Sequence, residues 1–328
     1  FVGGILVQLP GALKVGMRYN LQFDLFNPDL KKFVLLSLPF IIGMSMTFSN
    51  EFLFRFFGLM LDRGSLAGLN YAFRLMMIVV GVFGQAFAQA AYPFMSHLAA
   101  ENKIAEMNRL AARVIKNTSS LAIPFSAVIC VLSAEIIGIL FERGEFTAAA
   151  TGTTAPALSY YITGAFAIAG TTVVIRCFFA MQNTLFPMIV STGAVAGFLP
   201  LYWVAIGPLG LDYLGIPVVA ALSMIFQFFL LYFLWSRWSN DTQGFRQSPA
   251  YIIKVIITAS VSAGICLGIR AVFLPIVDHF PQLISSSLTL IVSGTPALLF
   301  SFIIMQVTGI QDMRELYITL MHKSRLRS

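Results

Sequence analysis

"LGIPVVAALSMIFQFFLLYFLW", residues 214–235, contains no Asp, Glu, Lys, Arg or His. As a helix rising about 1.5 Å per residue, it is long enough to cross the roughly 30 Å hydrocarbon core of a bilayer. It lacks the inside/outside alternation that the short strands of a lipid-facing barrel require. The rest of the chain has the same character: of 328 residues, 58% are hydrophobic and 11% charged, well away from the usual composition of a soluble domain. Thirty-one Phe, 25 Gly and 14 Pro suit helices that pack closely through small residues and break locally where neighbours re-satisfy the backbone. The expected fold is an all-α polytopic membrane protein.

Allowing roughly 20 apolar residues per crossing, the chain divides into nine segments: about 1–17, 33–61, 66–97, 114–141, 151–181, 185–206, 214–236, 250–274 and 284–309. The connections between them carry the charge. Those on one side, called here the basic side, hold Lys14, Arg18, Lys31 and Lys32, then Lys103, Arg109, Arg113 and Lys116, then Arg237, Arg246 and Lys254, and finally Arg314, Lys323, Arg325 and Arg327. Connections on the far side contribute only Arg63 and Arg143. Basic loops remain on the cytoplasmic side during insertion, so the basic side and the C-terminus are expected to be cytoplasmic. The net charge of +7 is therefore spread over short loops beside anionic lipid, and no nucleic-acid partner is needed to explain it. Two segments, "HLAAENKIAEMNRLAARVIKN" (97–117) and "QDMRELYITLMHKSRLRS" (311–328), alternate apolar and charged residues and are expected to form amphipathic helices along the inner surface.

Chemistry-bearing motifs are sparse. Cys130, Cys177 and Cys266 fall in apolar runs without metal or disulfide spacing and read as small buried hydrophobes. His97, His279 and His322 lie near different connections and cannot form one metal centre. With no P-loop, nucleophile elbow or intramembrane carboxylate pair, neither an enzyme nor a cofactor is expected. The chain opens on Phe1 within "FVGGILVQLPGALKVGM" and shows no signal-peptide pattern, the expected look of the C-terminal part of a longer protein.

Four arginines fall within the expected spans. A cation near the bilayer centre costs about 2.5–3.5 kcal/mol on insertion scales, so it faces a partner, water or a ligand. Arg176, near the basic end of its span, and Arg270, near the far end of another, are expected to snorkel to the headgroups. Arg55 and Arg74 lie on consecutive antiparallel spans at related depth in the far-side half. Glu51 stands four residues before Arg55, on the same helix face, as a possible charge partner, with Asn50 beside it. Arg74 has no acid three or four residues away, so its counter-charge must come from another helix, from water or from an anionic ligand. Asn70, Gln85 and Gln89 also interrupt this apolar span, and the spacing of Arg74, Gln85 and Gln89 fits one helical stripe. Such a stripe either lines an aqueous path or hydrogen-bonds neighbouring helices.

"GSLAGLNYAFRLMMIVVGVFGQAFAQAAYPFMSHLAAENKIAEMNRL" (64–110) resembles the MurJ/MviN lipid II flippases of the MOP superfamily. In that family an Asn-Tyr-Ala-x-Arg-Leu-Met sequence opens a helix ending in Pro and a Ser-containing turn. "LFERGEFTAAAT" (140–151) is similar to the family's external loop, "FFAMQNTLFP" (178–187) to the loop between its tenth and eleventh helices, and "LVQLPGALKVGM" (6–17) to the end of its sixth. The resemblance implies that residues 1–32 form the end of the sixth helix and the inter-lobe linker. It makes 33–236 the second six-helix lobe, and 237–328 two additional helices forming a lipid-tail groove plus a cytoplasmic tail. It implies alternating access around a cavity that carries an undecaprenyl-pyrophosphate-linked peptidoglycan precursor, lipid II, to the periplasmic leaflet of the bacterial inner membrane. Arg74 falls on the family's cavity arginine, which helps to bind the diphosphate, with Arg55 and Asn70 nearby. Phe73 stands where relatives often carry Asp.

Three other functions are compatible with parts of this pattern. A flippase for another polyprenyl-linked oligosaccharide would use the same cavity. A MATE-like antiporter would depend on a membrane-embedded acid, for which Glu51 is the candidate. A scaffold recruiting cell-wall synthesis proteins would depend on basic loop residues such as Arg109 and Arg113.

Overall fold

The computed structural model describes residues 63–240, 242–277 and 279–308, with isolated positions upstream (10, 28, 30, 31, 33, 34, 37 and 56) and with backbone alone at 63 and 242–249. Among the described residues all regular structure is helical. The chain forms α1 (Arg63–Val79), a π-helical turn (Val80–Gln85) and α2 (Ala86–Ala100) as one continuous span. Next come α3 (Ile104–Val131) and the short α4 (Ser133–Phe141), then α5 (Ala148–Ile162) and α6 (Ala165–Ala180), bent by 42° at their junction. The remaining elements are α7 (Leu185–Gly197), α8 (Leu199–Ile206), α9 (Gly215–Trp238), α10 (Thr242–Val277), α11 (Gln282–Thr289), a second π-helical turn (Leu290–Gly294) and α12 (Thr295–Val307). Among the described residues six helical runs are long and apolar enough to cross a membrane, or seven when the bent α5–α6 pair counts as one span. These are the seven expected spans from 66–97 to 284–309. The expected spans at 1–17 and 33–61, and the tail from 311, lie outside the described residues.

Two basic-side connections among the described residues end their helices in the same way. Asn102 and Gln182 adopt left-handed backbone conformations, with φ of 58° and 57°. After each, two amides fold back onto the preceding turn: Asn102 N–H on Ala99 and Lys103 N–H on Leu98, and likewise Gln182 on Phe179 and Asn183 on Phe178. This pairing satisfies carbonyls that a helix end would otherwise leave unbonded. Asn183 then accepts a bond from the Phe186 amide at 3.2 Å, starting the next helix. The first of these turns corrects the expected surface helix over 97–117. Residues 97–100 finish one span, the chain turns at 101–103, and residues 104–117 begin the continuous 28-residue α3. The charged positions of that segment thus decorate the protruding ends of two spans. Lys103 donates to Glu101 at 2.8 Å across the turn, holding that carboxyl below its usual range, although both side chains are well solvated.

α3 lies at the centre, packed against α10, α6 and α2. It buries Met107, Ala111, Ile115 and Ala122, together with Asn108, whose Oδ1 accepts the indole N–H of Trp235 on α9 at 2.9 Å. Small residues allow close approach elsewhere. A Cβ placed on Gly84 would lie 2.7 Å from the Cα of Ala169 on α6, whereas one on Gly81, in the same π-helical turn, meets nothing within 4 Å. Gly84→Ala therefore forces backbones apart and is expected to lower the thermal midpoint of the purified protein, at about 1–3 kcal/mol. Gly81→Ala is expected to leave that midpoint unchanged, and equal effects at the two glycines would contradict the packing.

Arg270 also differs from its expected behaviour. Instead of snorkelling, its Nε donates to Glu135 Oε1 at 2.6 Å. Glu135 is 5% exposed, in the first turn of α4, where the helix N-terminus favours an anion. Its second oxygen has no hydrogen-bond partner. The pair ties α10 to the α3–α4 span. Of the cysteines, Cys177 and Cys266 are buried and Cys130 is half-buried.

Candidate functional site

The first span owes its orientation to an apolar face. Leu69, Ala72, Met76 and Val80 are buried at helical spacing. α1 packs on α5, with Gly68 close against Thr154. Arg74 lies on the opposite side of α1 from Ala72 and Met76 and is exposed. Among the described residues it makes no hydrogen bond or ion pair. Phe73, beside it, turns inward and meets Tyr161 edge-on at 5.6 Å between ring centroids. An aromatic side chain there serves packing, and Arg74 gains no acid from its chain neighbour. Asn70 is half-buried and spends one amide hydrogen on the Leu66 carbonyl at 3.2 Å, within its own helix. Tyr71, three residues before Arg74, packs on Phe141 and Phe146, with centroids at 4.7 and 5.6 Å. The Phe141–Phe146 end of the far-side loop is thus packed on α1 about one turn from Arg74.

Gln85 and Gln89 are exposed on the same span. The expected single stripe assumed an uninterrupted helix, but the π-helical turn between Arg74 and Gln85 absorbs an extra residue. Gln85 is thereby rotated by roughly 100° from the uninterrupted register. In its actual position Gln85 accepts a hydrogen bond from Arg176 of α6 at 3.4 Å, and the Arg176 guanidinium also lies 5.8 Å from the Tyr92 ring centre. Arg176 was expected to snorkel to the basic-side headgroups. Instead its side chain runs toward Gln85, near the middle of Gly64–Ala100, as the N-terminal tilt of helical side chains favours.

The site therefore presents cations and amides, with no carboxylate on either arginine among the described residues. Nor do the described residues contain a group of three or more His, Cys, Asp or Glu able to hold a metal. Arg55, Glu51 and Asn50 lie outside the described residues. The arrangement suits electrostatic recognition of an anion, because a guanidinium offers several N–H donors in a fixed fork matched to phosphate oxygens.

Comparison with known proteins decides the family. Residues 1–285 match the family described as "Lipid II flippase MurJ". The chain belongs to the MurJ family. The probable lipid II flippase MurJ of Bdellovibrio bacteriovorus is 28% identical over 225 residues, covering 67% of this chain and 43% of that protein. The corresponding MurJ of Vibrio cholerae is 27% identical over 235 residues, covering 71% and 44%. Among solved structures, a lipid II flippase MurJ in an inward closed conformation superposes with a TM-score of 0.65 at 20% identity, over 94% of this chain and 61% of that one. The chain thus shares the MurJ fold while spanning about half the length of these curated relatives. MurJ-family proteins are transporters rather than enzymes.

Proposed function

We propose that this MurJ-family chain supplies the second lobe and the two additional helices of a lipid II flippase. In this reading, residues 1–32 complete a preceding helix and the linker, 33–236 form the lobe, and 237–328 form the additional helices and a cytoplasmic tail. The basic side faces the cytoplasm of a bacterial inner membrane. The cargo, an undecaprenyl-diphosphate-linked peptidoglycan precursor, crosses toward the periplasmic side by alternating access. The observation that carries this reading is Arg74, a cation in a membrane span with no protein counter-charge among the described residues and a MurJ-family match around it. A diphosphate supplies the missing charge. In a dry-walled cavity, such a charge-assisted hydrogen bond is worth more than at a wet surface.

The test is binding by the protein expressed from its own locus, purified and placed in phosphatidylcholine nanodiscs. Saturable binding of lipid II that is competed by undecaprenyl diphosphate supports the proposal. Absence of lipid II binding, with export of small cations that depends on Glu51, would replace it with an antiporter.

A further inference from the structure

Arg176 is the second intramembrane cation of this lobe that lacks a carboxylate partner among the described residues. Its surroundings differ from those of Arg270, whose charge is matched at 2.6 Å by Glu135. Arg176 meets one neutral amide, at the long distance of 3.4 Å, and the face of one phenol ring. An amide oxygen and a ring quadrupole reduce the cost of holding a guanidinium there without neutralising it. Of its five N–H donors, a single one reaches Gln85 among the described residues.

Position adds to this. Gly84 approaches Ala169, and farther along both helices Tyr92 meets Arg176, so the first span and α6 run side by side in the same direction with Arg176 on the basic-side part of that contact. Gln85, which meets Arg176, and Gln89 one turn on are both exposed, and among the described residues their side-chain N–H groups make no hydrogen bond. Eleven residues separate Arg74 from Gln85, about 16 Å along a helix. Gln85, and the Arg176 guanidinium that it meets, thus lie about three helical turns from the Arg74 backbone.

We propose that Arg176, with Gln85 and Gln89, forms a second anion station on the basic-side half of the path. A diphosphate entering from that side engages this station before it reaches Arg74. The ligand class is a phosphate or diphosphate oxyanion at the head of a lipid, and the inference rests on the flippase reading for the identity of the cargo. Gln85 acts as a placeholder: its oxygen holds the guanidinium while the site is empty and is displaced by a phosphate oxygen, a stronger acceptor. The same chemistry is carried by bilayer phospholipid headgroups, and the test separates the two sources.

The decisive substitution is Gln85→Glu. It places a carboxylate of the same shape beside Arg176, which strengthens the contact between the spans and supplies the anion that the ligand would otherwise provide. The protein expressed from its own locus is measured in phosphatidylcholine nanodiscs, with undecaprenyl diphosphate as the probe and phosphatidylglycerol as the competitor. The Arg74→Ala background isolates the second station. Residual binding in that background is expected to fall tenfold or more on adding Gln85→Glu or Arg176→Gln. Arg176→Lys should stay within about threefold, and the Gln85→Glu protein should melt no lower than its parent. If Arg74→Ala weakens binding while the Gln85 and Arg176 changes have no effect in either background, the second station is overturned and the flippase reading stands. Equal competition by phosphatidylglycerol would also overturn it, by making the site a general headgroup contact. If the unaltered protein fails to bind undecaprenyl diphosphate, the flippase reading itself falls.

Discussion

On the proposed flippase reading, Arg74→Ala, introduced into the protein expressed from its own locus, is expected to abolish growth complementation while membrane abundance stays at the parental level. Arg74 is exposed and unpaired among the described residues, so its removal leaves no protein partner stranded, and a folding defect is not expected. On that reading the loss is a charge-assisted hydrogen bond to the cargo, worth about 1.5–3 kcal/mol, and the expected result is a roughly 10- to 100-fold weaker affinity for undecaprenyl diphosphate. Arg74→Lys keeps the charge but not the planar fork and is expected to restore growth only in part. Full growth with Arg74→Lys would show that two-point recognition is unnecessary. Full growth with Arg74→Ala would remove the residue from the transport path.

Arg270→Leu has the opposite profile, with a large loss of stability and an effect on transport only through folding. Its partner Glu135 is 5% exposed and has one oxygen already unsatisfied, so losing the guanidinium leaves an almost bare buried carboxylate. Breaking such a pair from one side costs about 3–5 kcal/mol, whereas replacing both partners by apolar residues is often neutral. In a double-substitution cycle followed by thermal unfolding in detergent, Arg270→Leu is expected to be the worse case and Glu135→Leu/Arg270→Leu to recover most of the loss. Additive single effects would show that the ion pair does not hold α10 against the α3–α4 span. The comparison separates two classes of intramembrane arginine, one without a carboxylate partner among the described residues and one already answered by the protein.

That distinction was only half legible in the sequence. The seven described spans follow from composition, because a run such as 214–235 has no stable home except across a bilayer. Arg74 stood out for the same reason, an ionisable group without an acid one turn away. Partners distant in the chain were out of reach: Arg270 meets Glu135 across 135 residues, and Arg176 meets Gln85 across 91. Both depend on how helices dock, which hydropathy does not encode. The relation of Gln85 to Arg74 was misread for a different reason. Counting by 3.6 residues per turn assumes a regular helix, and the π-helical turn at Val80–Gln85 breaks that assumption without a proline to announce it. The break at Asn102 was hidden because "AENK" reads smoothly within an amphipathic pattern, yet Asn is one of the few residues that tolerate the left-handed turn found there.

The most direct test of the central claim is the leaflet distribution of lipid II after depletion of the protein expressed from its own locus, in cells lacking any other flippase for that lipid. The expected result is precursor accumulating on the cytoplasmic leaflet and disappearing from the periplasmic one, restored by the unaltered protein and not by Arg74→Ala. Undiminished appearance of lipid II on the periplasmic leaflet after depletion would contradict it.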